Sequence, residues 1–305
     1  MKVLAHLLLF SVAACASVVS DVRAALSAGN LRLAESLVSR EQAAHGVSVE
    51  LAFAESWVAR GFLDRKDYEG AGRYSAATEK MCLELLTKRK LDDEPALPLA
   101  LGAAIEVQSQ SLAGEGSRDQ AITYLRARLQ QWRATSIRAR IQKNLNLLTL
   151  EGHPAPPLEI AKFLGTVHPV PLAALRGHPV LLFFWAHWCS DCKGEVPIVQ
   201  KLLSTYGARG LVVVGPTQHY GYVAGGLDSS PAEETKYMEA VRTQYYAGIG
   251  RMATPVSEET FRNYGVSTTP TLVLVDKSGI VRMYHPGAMS YEELAADVDK
   301  VLSAH

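Results

Sequence analysis

The sequence predicts a chain of two parts: an all-α domain of helical hairpins, then an α/β domain with a central mixed sheet flanked by helices. Three observations predict it. Residues 17–150, once past a leader, are rich in Ala, Leu, Arg and Glu, with few β-branched runs. Glu151-Gly-His-Pro-Ala-Pro-Pro157 then interrupts the pattern with three prolines and a glycine. From residue 158 to 305, apolar runs alternate with amphipathic segments.

In the helical part, three stretches share one spacing: Gly29-x-Leu31-x-x-Ala34, Lys66-x-Tyr68-x-x-Ala71 and Gly116-x-Arg118-x-x-Ala121. Each places a turn before a helix whose small Ala permits close packing. Apolar residues at helical spacing precede each turn, among them Val22 and Leu26, Val58 and Phe62, and Ile105. These hairpins resemble tetratricopeptide repeats, which would present a concave face to a protein partner. An irregular helical bundle fits the same residues. Thr135 is the expected N-cap of a last helix reaching Leu150. Trp57, Trp132 and Cys82 read as packing residues of this half.

Residues 151–157 are expected to form a stiff linker. Beyond it, Val180-Leu-Leu-Phe-Phe184 is a continuous apolar run, as in a central strand covered on both faces. Leu211–Val214 and Thr271–Val275 are two further strands. Asp276-Lys-Ser-Gly279 turns the latter into Ile280–Tyr284 as a hairpin, and His285-Pro286-Gly287 is a turn. Helices are expected near Lys193–Tyr206, Ala232–Tyr246, Glu258–Tyr264 and Tyr291–Leu302. His219, Tyr220 and Tyr222 lie among glycines in a long loop near the strand ends, either structural or part of a substrate groove.

Composition narrows the function. The 31 basic and 31 acidic residues balance, so no broad electrostatic surface for nucleic acid is expected. A 48% hydrophobic and 20% charged composition is that of a folded protein. At the N-terminus, Lys2 precedes an apolar run over Val3–Val12, too short to span a membrane but suited to a signal peptide over residues 1–16. Two processing readings stand side by side. Ala14-Cys15-Ala16 is a small-x-small cleavage site, and Val12-Ala13-Ala14-Cys15 is a lipobox-like run in which Cys15 would be lipidated. Either way the expected location is the periplasm or cell envelope, with a lipid anchor in the second case.

Trp185-Ala-His-Trp-Cys189-Ser-Asp-Cys192 follows the central strand and opens a helix. That context makes a C-x-x-C pair a redox signal. Two thiols across the first helical turn can close a small disulfide, and the helix N-terminus favours a thiolate on the first. A zinc site would need further ligands, and haem attachment would need His where Lys193 stands.

At these residues the sequence resembles the thioredoxin superfamily and, within it, the TlpA-like thiol–disulfide oxidoreductases. The likeness spans Leu158 to Leu302 and rests on Leu175–Cys189, Cys192-Lys-Gly-Glu-Val-Pro197 and Tyr264-Gly-Val-Ser-Thr-Thr-Pro-Thr271. It implies that Cys189 is the nucleophile and Cys192 the resolving thiol of a redox disulfide. It implies that Pro270 is a cis-proline facing them, with the Thr269 backbone pairing with substrate. Glu195 would exchange a proton with Cys192, and Trp188 would shape the substrate surface. Pro197 would kink the helix. Reaction with protein thiols and disulfides needs no cofactor or metal, and a reductase would need a membrane electron donor.

Two departures matter. Phe183 stands where related proteins often carry a buried acid, so proton transfer must use Glu195 or water. Asp191 replaces the usual proline before Cys192. Its charge disfavours a Cys189 thiolate and points towards a reductase, while a protonated His187 opposes it. Two other functions compete. A thiol peroxidase would need Thr and Pro at positions held by Ala186 and Leu182. A helical binding protein with a vestigial redox centre would not need Cys189.

Overall fold

The computed structural model describes residues 17–303. The signal peptide expected over residues 1–16 and the candidate lipidation site at Cys15 lie outside them. Among the described residues, no helix is long and apolar enough to cross a membrane. The chain divides into two compact units, up to Ser111 and from Leu112 onward.

The first unit is helical: α1 (Val18–Ser27), α2 (Leu31–His45), α3 (Val49–Asp64), α4 (Tyr68–Leu85) and most of α5 (Ala96–Gly114). Helices α1 to α4 each begin on a side-chain cap, from Ser17, Asn30, Ser48 and Asp67. Such caps satisfy N–H groups that a helix start leaves unpaired. Gly29 and Lys66, at two of the expected turns, have positive φ. Val22, Ala34, Val58 and Ala71 from the hairpin pattern are all fully buried.

The second unit opens with α6 (Arg118–Gln131) and α7 (Arg138–Thr149). The start of α7 differs from expectation. The Thr135 hydroxyl donates backwards to the Trp132 carbonyl at 2.8 Å, and the helix begins at Arg138 with Ile137, which offers no side-chain cap, in the N-cap position. Helix α7 then packs in this unit against the later helix α10 (Glu258–Tyr264). Arg138 pairs with Glu259 at 3.3 Å, and the Asn146 amide donates to the Asn263 carbonyl at 3.4 Å. Residues 151–157, expected as a linker, run along a sheet edge. Gly152 N–H donates to Val281 O and Ala155 N–H to Gly279 O, while His153 O accepts from Val281 N–H. Prolines at 154, 156 and 157 have no N–H to donate, so the donors to this edge come from Gly152 and Ala155, and the segment covers an otherwise open strand.

The remaining elements, in chain order, are β1 (Phe163–Leu164), β2 (Val180–Phe184), α8 (Ser190–Tyr206), β3 (Val212–Val214), α9 (Pro231–Val241), β4 (Thr254–Pro255), α10, β5 (Thr271–Val275), β6 (Val281–Pro286) and α11 (Tyr291–Ser303). A π turn, Arg242–Tyr246, extends α9. The main sheet has the order β3-β2-β5-β6. Strands β2 and β3 are parallel; β5 is antiparallel to both β2 and β6. Short strands β1 and β4 pair apart from it.

All five residues of β2 are buried, because the sheet is covered on both faces. Leu181 and Phe183 point into one core with Val199 and Leu202 of α8 and Leu294 and Val298 of α11. Leu182 and Phe184 point into the other with Phe261 and Tyr264 of α10. Phe183 thus fills the position of the missing acid as a wholly buried core residue, 6.1 Å from the Tyr246 ring.

Candidate active site

Strand β2 ends at Phe184, and the next residues carry the chain over the sheet to the start of α8. Trp185 anchors this crossing: its indole N–H donates to the Gly215 carbonyl at 3.0 Å, and its own carbonyl accepts from the Thr217 hydroxyl at 2.9 Å. Cys189 is the N-cap of α8, and Cys192 lies in its first turn. Their sulfurs form a disulfide of 2.12 Å. The Cys192 N–H donates to Cys189 Sγ at 3.0 Å. That bond and the helix dipole stabilise negative charge on this sulfur once the disulfide opens. Asp191 is exposed, where solvent screens its opposing charge.

Access is one-sided. Cys192 is fully buried, whereas Cys189 keeps 3% of its surface beside Trp188, which is 48% exposed. An incoming sulfur therefore meets Cys189 first. The free Cys82 is different in kind: burial pushes its thiol up to about 12, which suppresses thiolate at neutral pH.

The loop before β5 closes the site from the other side. The Thr269–Pro270 peptide bond is cis, and the Thr269 carbonyl oxygen lies 3.4 Å from Cys189 Sγ. The Thr269 hydroxyl is buried with no hydrogen-bond partner. Cys189, Cys192, Thr269, Pro270 and Trp188, predicted from separate stretches of sequence, are therefore brought to one place. Glu195 sits one turn beyond Cys192, buried, with its carboxyl accepting the Met289 N–H at 3.3 Å. Burial pushes its pKa above the ordinary carboxylate value, and the Met289 bond opposes this only in part. Pro197 lies inside α8, where it supplies no backbone N–H to the ladder.

One cluster was missed in the sequence. His187, two residues before Cys189, is buried, and its Nε2 lies 3.2 Å from Glu234 Oε1 on α9. Burial holds its pKa below the ordinary histidine value, with Glu234 pulling the other way. A protonated His187 is thus disfavoured as a partner for a Cys189 thiolate. The only signal was Glu234 on an otherwise unremarked helix, 47 residues away. The loop that includes His219, Tyr220 and Tyr222 joins this cluster: Tyr220 and Tyr222 meet the His187 ring edge-on at 5.5 and 5.4 Å. Among the described residues, no group of three or more His, Cys, Asp or Glu side chains is arranged to hold a metal ion.

Comparison with known proteins agrees with this geometry. Residues 171–302 match the model of the thioredoxin-like domain family. Over 150 residues the chain is 25% identical to the thiol-disulfide oxidoreductase ResA of Geobacillus thermodenitrificans, covering 49% of this chain and 77% of that protein. It is 26% identical over 152 residues to the thioredoxin-like protein YneN of Bacillus subtilis, covering 49% and 79%. It is 27% identical over 143 residues to the thiol:disulfide interchange protein DsbE of Xylella fastidiosa, covering 47% and 64%. Sheet order, paired cysteines and the family match agree on a thioredoxin-like domain over residues 171–302, similar to the thiol–disulfide oxidoreductases among these relatives.

Proposed function

We propose that this protein is a thiol–disulfide oxidoreductase that reduces disulfides of polypeptides outside the cytoplasm. The observation that carries the reading is the Cys189–Cys192 disulfide at the N-terminus of α8, with Cys189 alone accessible and the Thr269 carbonyl beside it. In the reduced protein, the Cys189 thiolate attacks one sulfur of a substrate disulfide. A mixed disulfide forms, and the other substrate sulfur leaves as a thiolate and takes a proton. Cys192, deprotonated by Glu195 or by water, then attacks Cys189 Sγ. The second substrate thiol leaves, and the Cys189–Cys192 disulfide forms. Two electrons pass from the protein to the substrate. A dithiol donor must return them, and a membrane-bound one fits an oxidising compartment.

Thr269 and Pro270 would align the substrate backbone beside Cys189, and Trp188 would contact its side chains. The reductase direction rests on Asp191 beside the pair, whose negative charge, though weakened by solvent, disfavours a Cys189 thiolate and so favours the disulfide form. Location outside the cytoplasm rests on the apolar leader, with Cys15 as its candidate lipid anchor.

The test is a trapping experiment. Reduced Cys192→Ala protein, given a disulfide-linked peptide dimer, is expected to hold one peptide on Cys189 as a stable mixed disulfide. Wild type should release it, and Cys189→Ala should bind none. Peptide captured on Cys82, or no capture at Cys189, sinks the reading.

A further inference from the structure

Glu234 is fully buried on α9, and three groups converge on its carboxyl. The Tyr220 N–H donates at 2.5 Å, the Gly221 N–H at 2.9 Å, and the His187 Nε2 lies at 3.2 Å. Its neighbour Thr235 adds a fourth tie, hydroxyl to His219 Nε2 at 2.9 Å. Three successive loop residues, 219 to 221, are thus fastened to two successive residues of α9. The loop in turn carries Tyr220 edge-on against Trp188, with ring centroids 5.5 Å apart. Tyr237, one turn along α9 from Glu234, closes the His187 ring from a further side at 5.3 Å.

A carboxyl taken out of water is costly unless its oxygens are fully hydrogen-bonded, and a buried acid is a poor choice where packing alone is needed. Here the bonds run to the two segments that frame the accessible sulfur: the run His187-Trp188-Cys189, and the loop that supports Trp188. We propose that Glu234 is a positioning residue for disulfide exchange, fixing His187 and the 219–222 loop so that Trp188 and Tyr220 stand as a preformed wall for the polypeptide docking on Cys189. The proposal rests on the oxidoreductase reading. It touches binding of the substrate rather than the sulfur chemistry, because Glu234 reaches the pair only through His187 and Tyr220. Preformed surfaces bind more tightly because the ordering is already done in the free protein.

The experiment is steady-state reduction of a fluorescence-quenched, disulfide-linked peptide dimer by the full chain, with dithiothreitol as electron donor. Glu234→Ala is expected to raise KM about tenfold or more with kcat within about twofold of wild type. Glu234→Gln keeps a carbonyl acceptor for the loop and should restore most of that loss; where Glu234→Ala does not fold, Tyr220→Ala carries the test. Tyr220→Ala should reproduce the KM effect, and the Glu234→Ala, Tyr220→Ala double variant should add little to it. Unchanged KM in folded Glu234→Ala or in Tyr220→Ala, or a loss confined to kcat, overturns the proposal. A wild-type chain that fails to reduce the peptide while Cys189 stays oxidised instead overturns the oxidoreductase reading beneath it.

Discussion

Glu195 is governed by its burial. Its folded pKa lies above the ordinary 4.5, so the folded state holds the proton more tightly than the unfolded chain. That contribution to stability is complete below the unfolded value and is lost as pH rises through the raised one. Glu195→Gln is therefore expected to raise the thermal midpoint at pH 7.5, by roughly 2–4 °C per kcal/mol recovered, and to leave it unchanged near pH 4. If Glu195 accepts the Cys192 proton, the same variant also slows release of the mixed disulfide at neutral pH by about 100-fold in stopped-flow measurements. The paired cysteines should differ from Cys82. After mild reduction, native-state alkylation should label Cys189 at least about 100-fold faster than Cys82, whose thiol is buried. Residues of the site that are near one another in sequence were legible, because a helix start fixes the spacing of Cys189, Cys192 and Glu195. Glu234 and its pairing with His187 were not, since 47 residues separate the two and only the folded chain makes them neighbours.

At the scale of elements, the approach of α7 to α10 depends on one glycine. Gly265 has φ +63°, and a Cβ there would lie 2.3 Å from the backbone nitrogen of Lys143, which cannot swing aside. Gly265→Ala is expected to lower the thermal midpoint by about 5 °C or more, and an unchanged midpoint would mean the two helices do not meet there. In the helical unit, burial pushes Glu55 up to about 7. Stability from its protonated form is full below 4.5 and disappears as pH rises through about 7. Glu55→Gln should stabilise the protein above that range by about 3 kcal/mol and not at pH 4, as denaturant titrations at the two pH values would read. The strands were legible where burial is two-sided: Val180–Phe184 and Thr271–Val275 match their apolar runs end to end. Strands β1 and β4 were not, because two residues each carry no periodicity. The docking of residues 151–157 on β6 was also hidden, since prolines signal a break in helix and say nothing of which edge the freed N–H groups will find.

For the whole molecule, the two-sided sheet and the break at residue 185 place a small reactive surface at the end of a rigid frame. The core beneath it is large: Trp185 and Tyr246 pack at 4.4 Å directly under the crossing to Cys189. The central claim is that Cys189 and Cys192 cycle together as one two-electron couple while Cys82 stands apart. The measurement is a redox titration of the native full chain in dithiothreitol buffers, quenched in acid, alkylated and read by intact mass and peptide mapping. A single reversible transition of two electrons confined to Cys189 and Cys192 is expected, with a midpoint well below the roughly −120 mV of strongly oxidising pairs. A disulfide that stays closed in native protein under reducing buffers, or two cysteines that titrate one at a time, would contradict it.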